Sequence, residues 1–301
     1  MSQKAKLNEE SSINFKCQEL ASEIVDYFAK EYKKNEFMMF GNKQFPVCVV
    51  RWTPNDDSKT FNGTISSATC TVVKMARTEY AKEENRYSLL DAYYNADYKI
   101  ISVKIALVEN EDGTEELMTK DCESVLSHEL LHAYQKQFKI LKGKKLYLLA
   151  SSLMETARDE NEYRIAVGLY YFSAKEINAN ANALYTELKN NNIDNRIDVL
   201  YMNIYGDFVN ARILATRAIE YFDKNKDKVK RLERYFGISY NKIKNYILNG
   251  IKVCETKFGK VITYYLSRKN ENKWLLKETT VNPMLLRKEE EFMVPHILEL
   301  L

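Results

Sequence analysis

The sequence predicts an α+β protein, in which a sheet close to the N-terminus precedes a mainly helical part. Stretches rich in β-branched and aromatic residues before residue 110 are typical of strands, whereas apolar residues after residue 143 recur at helical spacing. Nine glycines and four prolines are few for 301 residues, which disfavours a loop-rich or all-β fold. We therefore predict an α+β part over residues 1–142 and a helical part over residues 143–301.

The α+β part begins with a predicted amphipathic helix over residues 13–34, whose apolar side chains recur near helical spacing. Residues 45–52 and 64–74 are predicted as strands, and the β-branched run at 99–108 is the stronger strand signal. A helix over residues 121–137 follows, since apolar residues continue there without any glycine or proline. Turn-forming residues separate the earlier segments at 54–57, 62–63 and 110–113.

The helix predicted at 121–137 carries the most informative motif of the chain, His128-Glu129-Leu130-Leu131-His132, which has the form H-E-x-x-H. Histidine is scarce, with three residues in 301, and two of them stand four apart. Four residues on a helix correspond to about 40° of rotation, so both imidazoles project from one face. They can share a tetrahedral Zn²⁺, while Glu129 takes a proton from the water that the metal activates. Two other interpretations are a buried histidine pair without metal and a zinc site without chemistry.

A catalytic zinc usually has three protein ligands, so the motif needs a further residue. A metzincin would place glycine three residues and histidine six residues after His132, but these positions hold Gln135 and Phe138. His296 is the remaining histidine and lies beside a proline in the C-terminal tail, which makes it a minor alternative. A glutamate downstream of the motif is therefore expected.

Glu155 and Glu176 are the two candidates for this glutamate. Glu155 lies opposite the apolar stripe of its predicted helix, so we expect it to face water. Glu176 begins a helix on which Ala179 and Ala183 share its face. Small residues allow the close approach to the motif helix that a metal–oxygen bond of about 2.0–2.2 Å requires. We therefore favour Glu176 as the third ligand with Asn180 supporting it, although Glu176 would also suit a simple helix N-terminus.

The motif and the segment around Glu176 together resemble a known group of proteins. Residues 128–135 read His-Glu-Leu-Leu-His-Ala-Tyr-Gln, and residues 171–179 read Tyr-Phe-Ser-Ala-Lys-Glu-Ile-Asn-Ala. Small, gluzincin-like zincin metallopeptidases of bacteria and their phages carry H-E-L-x-H-x-x-Q and a later tyrosine-led E-I-x-A segment, which this chain resembles. The resemblance implies a zincin sheet before the motif helix, with His128, His132 and Glu176 as zinc ligands and Glu129 as the general base. Residues 195–301 have no counterpart that we can name.

The helical part contains five predicted helices, at 145–172, 174–190, 196–224, 226–248 and 250–269. Within it, residues 223–273 hold fourteen Lys or Arg and five Asp or Glu. Residues 231–248 resemble a helix-turn-helix with Gly237 in its turn, which makes nucleic-acid contact a minor hypothesis. Two packed helices with a solvated basic face are the interpretation that we favour.

Net charge, cysteine spacing and hydropathy limit the partners and the cellular compartment that the sequence predicts. The net charge of +3, from 45 basic and 42 acidic residues, does not indicate a nucleic-acid or membrane partner. Five scattered cysteines without C-x-x-C spacing favour a reducing compartment and argue against a cysteine metal site. The sequence has neither an apolar signal segment nor a run of 18 apolar residues, so it predicts a cytoplasmic protein without a membrane span.

The sequence therefore predicts a zinc-dependent metallopeptidase that hydrolyses the peptide bonds of a protein or peptide substrate. The alternative is a structural or interaction protein built on a zincin scaffold. A large assembly such as a phage virion would suit that alternative, because the chain has a long helical C-terminal part. The protein would then be virion-associated rather than free in the cytoplasm.

Overall fold

A computed structural model describes residues 3–39, 45–54, 63–84, 91–137 and 144–274 of the chain. Within these ranges, a mixed sheet in the N-terminal half is followed by a mainly helical C-terminal part, which confirms the predicted α+β class. Each of the helices in the described ranges is either too short or too polar to cross a membrane.

The first helix, α1 (Gln3–Glu31), continues into a short 3-10 turn and covers one face of the sheet. Leu20, Ile24 and Phe28 are buried at helical spacing, which is the periodicity that predicts an amphipathic helix in this region. They pack in one apolar cluster with side chains of the sheet, so this helix belongs to the α+β part.

The sheet is mixed and has six strands. The strands, with the short helix that follows the third of them, are β1 (Met38–Met39), β2 (Pro46–Trp52), β3 (Ser67–Ala76), α2 (Arg77–Glu84), β4 (Asp91–Asn95), β5 (Ile100–Glu109) and β6 (Glu115–Leu117). Their order is β1-β2-β3-β5-β4, with β6 paired to the end of β5. β3 and β5 are parallel, and the other pairs are antiparallel. The three predicted strands correspond to β2, β3 and β5, whereas β1, β4, β6 and α2 have no predicted counterpart.

The C-terminal end of strand β5 is apolar on both faces because both faces are covered there. Ile101 and Ile105 point into the cluster that contains α1, and Ala106 and Val108 pack on the other side beside β3. The predicted motif helix is α3 (Lys120–Gln137), which lies on the α1 side of the sheet and buries its apolar residues there.

The helical part differs from the prediction in where its helices end. It consists of α4 (Lys144–Thr156), α5 (Glu160–Tyr171), α6 (Ala174–Asn190), α7 (Arg196–Val199), α8 (Asn203–Lys224), α9 (Lys226–Phe236) and α10 (Tyr240–Trp274). Only the helix predicted at 174–190 has the predicted bounds. The one predicted at 145–172 is interrupted before α5, because the Asp159 side chain accepts from the backbone N–H groups of Asn161 and Glu162 and caps a new helix.

Two further boundaries were placed wrongly from the sequence. The helix predicted at 196–224 divides into α7 and α8, and the predicted break at Gly250 lies inside α10. The break occurs at Gly237, which the sequence also places in a turn, and this residue ends α9 with a φ of 66° in the left-handed region. Gly250 has a packing role, since a methyl group at this position would collide with the carbonyl oxygen of Phe172 at the end of α5.

Helix α6 connects the two parts of the protein. Ala179 packs in the apolar cluster of the sheet, α1 and α3, whereas Ile177, Ala181 and Leu184 pack in the cluster of the helical part. A helix counted in the predicted second part, 143–301, therefore contributes to the core of the first.

Candidate metal centre

The two motif histidines lie side by side on α3. Their ring centroids are 4.5 Å apart, and their rings are nearly perpendicular. Ligand atoms of His128, Glu129 and His132 all lie within 4.8 Å of one another, so these residues form a group that could hold a metal ion. The His132 side chain is buried, whereas the side chains of His128 and Glu129 remain 16% and 13% exposed. The group is thus open to solvent on the side of His128 and Glu129.

Glu176 completes this group from helix α6. Its Oε2 atom lies 3.3 Å from Nε2 of His128, and its Oε1 atom lies 3.2 Å from Nε2 of His132. Glu129 is further from His128, at 3.8 Å. Glu176 is therefore the closer carboxylate to His128, and it bridges both imidazoles.

The position of Glu176 follows from how α6 begins and packs. Ser173 caps the helix, with its hydroxyl accepting from the backbone N–H of Glu176 at 3.3 Å. Ala179 and Ala183, which share the face of Glu176, are fully buried, and Ala179 packs in the same apolar cluster as α3. The small side chains thus permit the close approach that the sequence predicts.

Polar residues fix the alignment of α6 against α3. Asn182 donates to the carbonyl oxygen of Ser127 at 3.0 Å, and the hydroxyls of Ser127 and Thr186 are 3.1 Å apart. Asn190 donates to Glu123 at 2.9 Å. Since residue numbers rise along α6 as they fall along α3, the two helices are antiparallel, and Glu176 lies opposite the histidines.

Two buried polar atoms at this centre lack a hydrogen-bond partner within the described part of the chain. They are Nε2 of His132 and Oε1 of Glu176, which face each other across 3.2 Å without hydrogen-bond geometry. Buried polar atoms are usually satisfied, so a pair of unsatisfied polar atoms requires an explanation. Two ligands at about 2.1 Å from a tetrahedral metal ion would lie about 3.4 Å apart. The observed separations of 3.2 and 3.3 Å fit such an ion.

The charges of these groups reinforce one another when no metal is bound. Burial alone would raise the pKa of Glu176, but the attraction of His132 and His128 outweighs burial and holds it well below its usual value. Burial alone would lower the pKa of His128, but contact with Glu176 and the charge of Glu129 raise it above its usual value. Glu176 and His128 thus favour each other's charged forms.

Glu129 is held on the open side of the centre by the sheet. Its Oε2 atom accepts from the backbone N–H of Tyr94 at 2.8 Å. Tyr94 belongs to β4, the last strand in the sheet order. One carboxylate oxygen is therefore fixed by the strand, and Oε1 is the atom that lies 3.8 Å from His128.

Gln135 supports His132 from one turn along α3. Its Oε1 atom lies 3.3 Å from Nδ1 of His132, and its amide nitrogen donates to the carbonyl oxygen of Lys175 at 3.4 Å. Metal-binding histidines usually hold their second nitrogen in this way, because the contact fixes the tautomer and the ring direction. In the sequence, Gln135 is used only to exclude a metzincin and as part of the resemblance. Its spacing from His132 nevertheless indicates that it can orient the His132 ring.

Lys175, Tyr147 and Tyr170 line the centre beside Glu176, and none of them was singled out from the sequence. Burial and the charge of Glu176 raise the pKa values of both tyrosine hydroxyls, which therefore keep their protons. Burial lowers the pKa of Lys175, and the nearby carboxylates of Glu176 and Glu129 oppose that effect. Lys175 directly precedes Glu176 in the sequence, but no sequence pattern around Tyr147 indicates that this tyrosine lies beside Glu176.

The remaining candidates are Glu155, Asn180 and His296. Glu155 is exposed on α4, in agreement with its predicted orientation. Asn180 is buried on α6, and His296 lies outside the described residues. All five cysteines are free and buried.

The segment at 231–248 divides between α9 and α10 on either side of Gly237. Leu232, Phe236 and Ile243 pack in the helical core, which gives the segment a structural role. Lys242 is exposed, whereas Lys244 pairs with Asp223 at 2.6 Å. These contacts support a packed helix pair and give no support to the nucleic-acid hypothesis.

Comparison of the chain with models of protein families, with curated proteins and with solved structures finds no match in any of the three.

Proposed function

We propose that the protein is a zinc-dependent metallopeptidase with a zincin-like centre, in which His128, His132 and Glu176 hold the metal. One observation carries the proposal: Nε2 of His132 and Oε1 of Glu176 are buried, unsatisfied and as close together as two ligands of one ion. A buried histidine pair without metal would leave these two atoms without a partner. A set of two imidazoles and one carboxylate favours Zn²⁺ among the common divalent ions.

The open side of the centre suits peptide hydrolysis. When bound, Zn²⁺ would supply Lewis acidity that polarises a carbonyl group and lowers the pKa of water to about 7. Glu129 is the general base: its Oε1 atom takes a proton from the attacking water and passes it to the leaving nitrogen as the C–N bond breaks. The hydrogen bond from Tyr94 to Oε2 holds the carboxylate in place for both transfers.

Strand β4 gives this centre a place for an extended substrate. It ends the strand order of the sheet, and it lies directly beside Glu129. Among the described strands only β5 pairs with β4, and an extended peptide can add to an edge strand through main-chain hydrogen bonds. That arrangement supports a peptide rather than a small molecule as the substrate.

The test combines metal analysis with proteolysis of a denatured-protein mixture by the full chain. We expect one zinc per chain, cleavage that stops on chelation and returns with zinc, and loss of cleavage in Glu129→Gln with zinc retained. Glu155→Gln, at an exposed position, is the matched control and should cleave normally. Cleavage that survives Glu129→Gln would refute the proposal, as would a zinc-loaded wild type that cleaves nothing.

A further inference from the structure

Two polar bridges join helices α1, α3 and α6, and each bridge takes one residue from each helix. In the first bridge, Gln18 of α1 donates to the side-chain oxygen of Asn182 at 3.1 Å. The Asn182 amide nitrogen donates in turn to the carbonyl oxygen of Ser127 at 3.0 Å. Asn182 is 1% exposed, so the bridge is buried where it reaches α3. It ends there on the residue that directly precedes His128.

The second bridge lies further along the same helices. Glu123 of α3 accepts from Ser22 of α1 at 3.2 Å and from Asn190 of α6 at 2.9 Å. Between the two bridges on α6 stands Thr186, whose hydroxyl is 3.1 Å from that of Ser127. Polar side chains therefore contact α3 from positions 182, 186 and 190 of α6, which are spaced by four residues and share one face.

The alanines between α3 and α6 do not by themselves fix where α6 lies along α3. Ala179 and Ala183 are both fully buried on the face that carries Glu176, and they are four residues apart. A shift of α6 by four residues, about 6 Å along its axis, would place Ala183 where Ala179 now packs. In coiled coils, a buried asparagine specifies the register of the helices at a cost in stability. Asn182 is placed to do the same here.

A shift of this size would change the group that faces the motif histidines. Asn180 stands four residues after Glu176 on the same face of α6 and is also buried, so it would take the place of the carboxylate. Its neutral amide is not among the usual ligands of Zn²⁺. Thr186 would take the place of Asn182, but its hydroxyl is one bond closer to the backbone and reaches less far toward Ser127. The shifted register would thus lose both the ligand and the first bridge.

Other contacts tie α6 to the helical part. The Glu187 carboxylate accepts from the backbone N–H groups of Asn203 and Ile204 at 2.9 and 3.1 Å, where α8 begins. These hydrogen bonds hold α6 to α8 and do not involve α3. The position of α6 along α3 is set instead by contacts between those two helices, such as the bridge through Asn182.

We propose that Asn182 is a positioning residue, which selects the register in which Glu176 faces the motif histidines. It is not itself a ligand and acts through the placement of Glu176. Gln18 supports it, because its amide donates to the Asn182 oxygen and leaves the Asn182 nitrogen to face Ser127. Helix α1 thereby contributes to the metal centre without supplying a ligand. The inference rests on the metal ligands of the proposed function.

The central experiment compares Asn182→Leu with Asn178→Leu, the same substitution on the side of α6 that contacts Lys257 of α10. Zinc dissociation constants come from chelator competition, and urea midpoints report the stability of the zinc-free proteins. We expect Asn182→Leu to raise the dissociation constant by about 10–100-fold and Asn178→Leu to stay within about twofold of the wild type. Leucine fills a similar volume, so the zinc-free midpoint of Asn182→Leu should fall no further than that of Asn178→Leu. Equal changes in zinc affinity would overturn the inference.

The register itself is tested by moving the carboxylate. Glu176→Gln with Asn180→Glu transfers it one turn along α6, so this double variant should bind zinc weakly while Asn182 holds the original register. Addition of Asn182→Leu allows α6 to shift, which brings the carboxylate introduced at position 180 to the histidines. We expect the triple variant to bind zinc at least about tenfold more tightly than the double variant. A triple variant that binds no more tightly would overturn the selection of register.

Gln18→Leu tests the same bridge at a half-buried position, so the outcome does not depend on the folding of Asn182→Leu. We expect it to raise the zinc dissociation constant by about threefold or more, with no further effect in the Asn182→Leu background, because Gln18 acts only through Asn182. If Asn182→Leu does not fold, wild-type zinc affinity in Gln18→Leu overturns the positioning role by itself. A wild-type chain that binds no zinc overturns the proposed function, and this inference falls with it.

Discussion

Nδ1 of His132 lies 3.3 Å from Oε1 of Gln135, one helical turn further along α3. In the neutral imidazole that binds a metal ion, a hydrogen bond at this contact places the ring proton on Nδ1, which leaves the lone pair of Nε2 available to the ion. The amide nitrogen of Gln135 reaches the backbone of Lys175 at the start of α6. One side chain thus sets the tautomer of a histidine and links the two helices that meet at the centre.

Loss of the Gln135 acceptor should weaken zinc binding. We expect Gln135→Leu to raise the zinc dissociation constant by about 10–100-fold, because the ring of His132 loses the group that orients it. Gln135→Glu keeps an oxygen at the same position and should bind zinc more tightly than Gln135→Leu. Chelator competition measures both constants. Equal affinities for Gln135→Leu and the wild type would contradict the orienting role.

Replacement of Glu176 should affect zinc more severely than replacement of Gln135. Glu176→Gln removes the charged carboxylate at the centre, so we expect a loss of affinity beyond the roughly 10–100-fold of an outer partner, comparable with that of His132→Ala. Glu155→Gln is the matched control, since Glu155 is exposed on α4 and should leave zinc content unchanged. Metal-to-protein ratios after dialysis report the result. Full occupancy in Glu176→Gln together with loss in Glu155→Gln would reverse the assignment.

The metal-free protein should gain stability from Glu176 in a limited pH window. The pKa of Glu176 is lowered by His132 and His128 against its burial, so its contribution is present above the ordinary value of 4.5 and is lost as pH falls through the folded value. The pKa of His128 is raised by Glu176 and Glu129 against its burial and against Lys175, so its contribution is present below 6.5 and is lost as pH rises through the folded value. The full contribution therefore lies at about pH 4.5–6.5.

Urea unfolding of the chelator-treated wild type and Glu176→Gln checks this window. The difference in the free energy of unfolding between the two proteins should be largest at about pH 4.5–6.5 and should decline on both sides. A difference that does not vary with pH would contradict the mutual attraction of Glu176 and the histidines. Zinc should shift the most stable pH upward, because it competes with the proton on His128.

The two glycines of α10 should respond in opposite ways to alanine. Gly250→Ala places a methyl group against the Phe172 carbonyl, so we expect the free energy of unfolding to fall by about 1–3 kcal/mol. Gly259 has open space where a methyl group would stand, so Gly259→Ala should raise it by up to about 1 kcal/mol through better helix propensity. Denaturant midpoints measure both. A neutral Gly250→Ala would show that α10 can move away from α5.

Much of the fold could be predicted because periodicity and side-chain size are local properties of the sequence. The burial of Ile24 and Phe28 follows from helical spacing, and the strand at β5 follows from its β-branched residues. Helix ends were predicted less well. An aspartate can cap a helix but need not do so, and the residue type of Asp159 alone therefore does not show that α5 begins there. Gly250 allows two distant segments to pack closely and does not end a helix.

The same difference between local and distant contacts applies to the residues of the candidate site. The motif places His128, Glu129 and His132 on one helix, and the alanines after Glu176 indicate that α6 can approach it closely. Tyr147, Tyr170 and the backbone of Tyr94 reach the centre only through tertiary packing, so neither their spacing nor their residue types mark them among 21 tyrosines. The sequence predicts the site residues that share one helix, but not the site residues that other helices and strands bring to the centre.

Helix α6 carries Glu176 at its start and contributes to the cores of both parts of the protein. A metal ion held jointly by His132 and Glu176 would therefore act as a cross-link between those cores, closing a chain loop of about 45 residues. In the chain-entropy treatment used for disulfides, closure of such a loop restricts the unfolded chain by about 4 kcal/mol. Neither core could then unfold without releasing the ion, so the zinc-bound protein would melt as one cooperative unit, while the metal-free protein would be free to lose its two parts in separate steps.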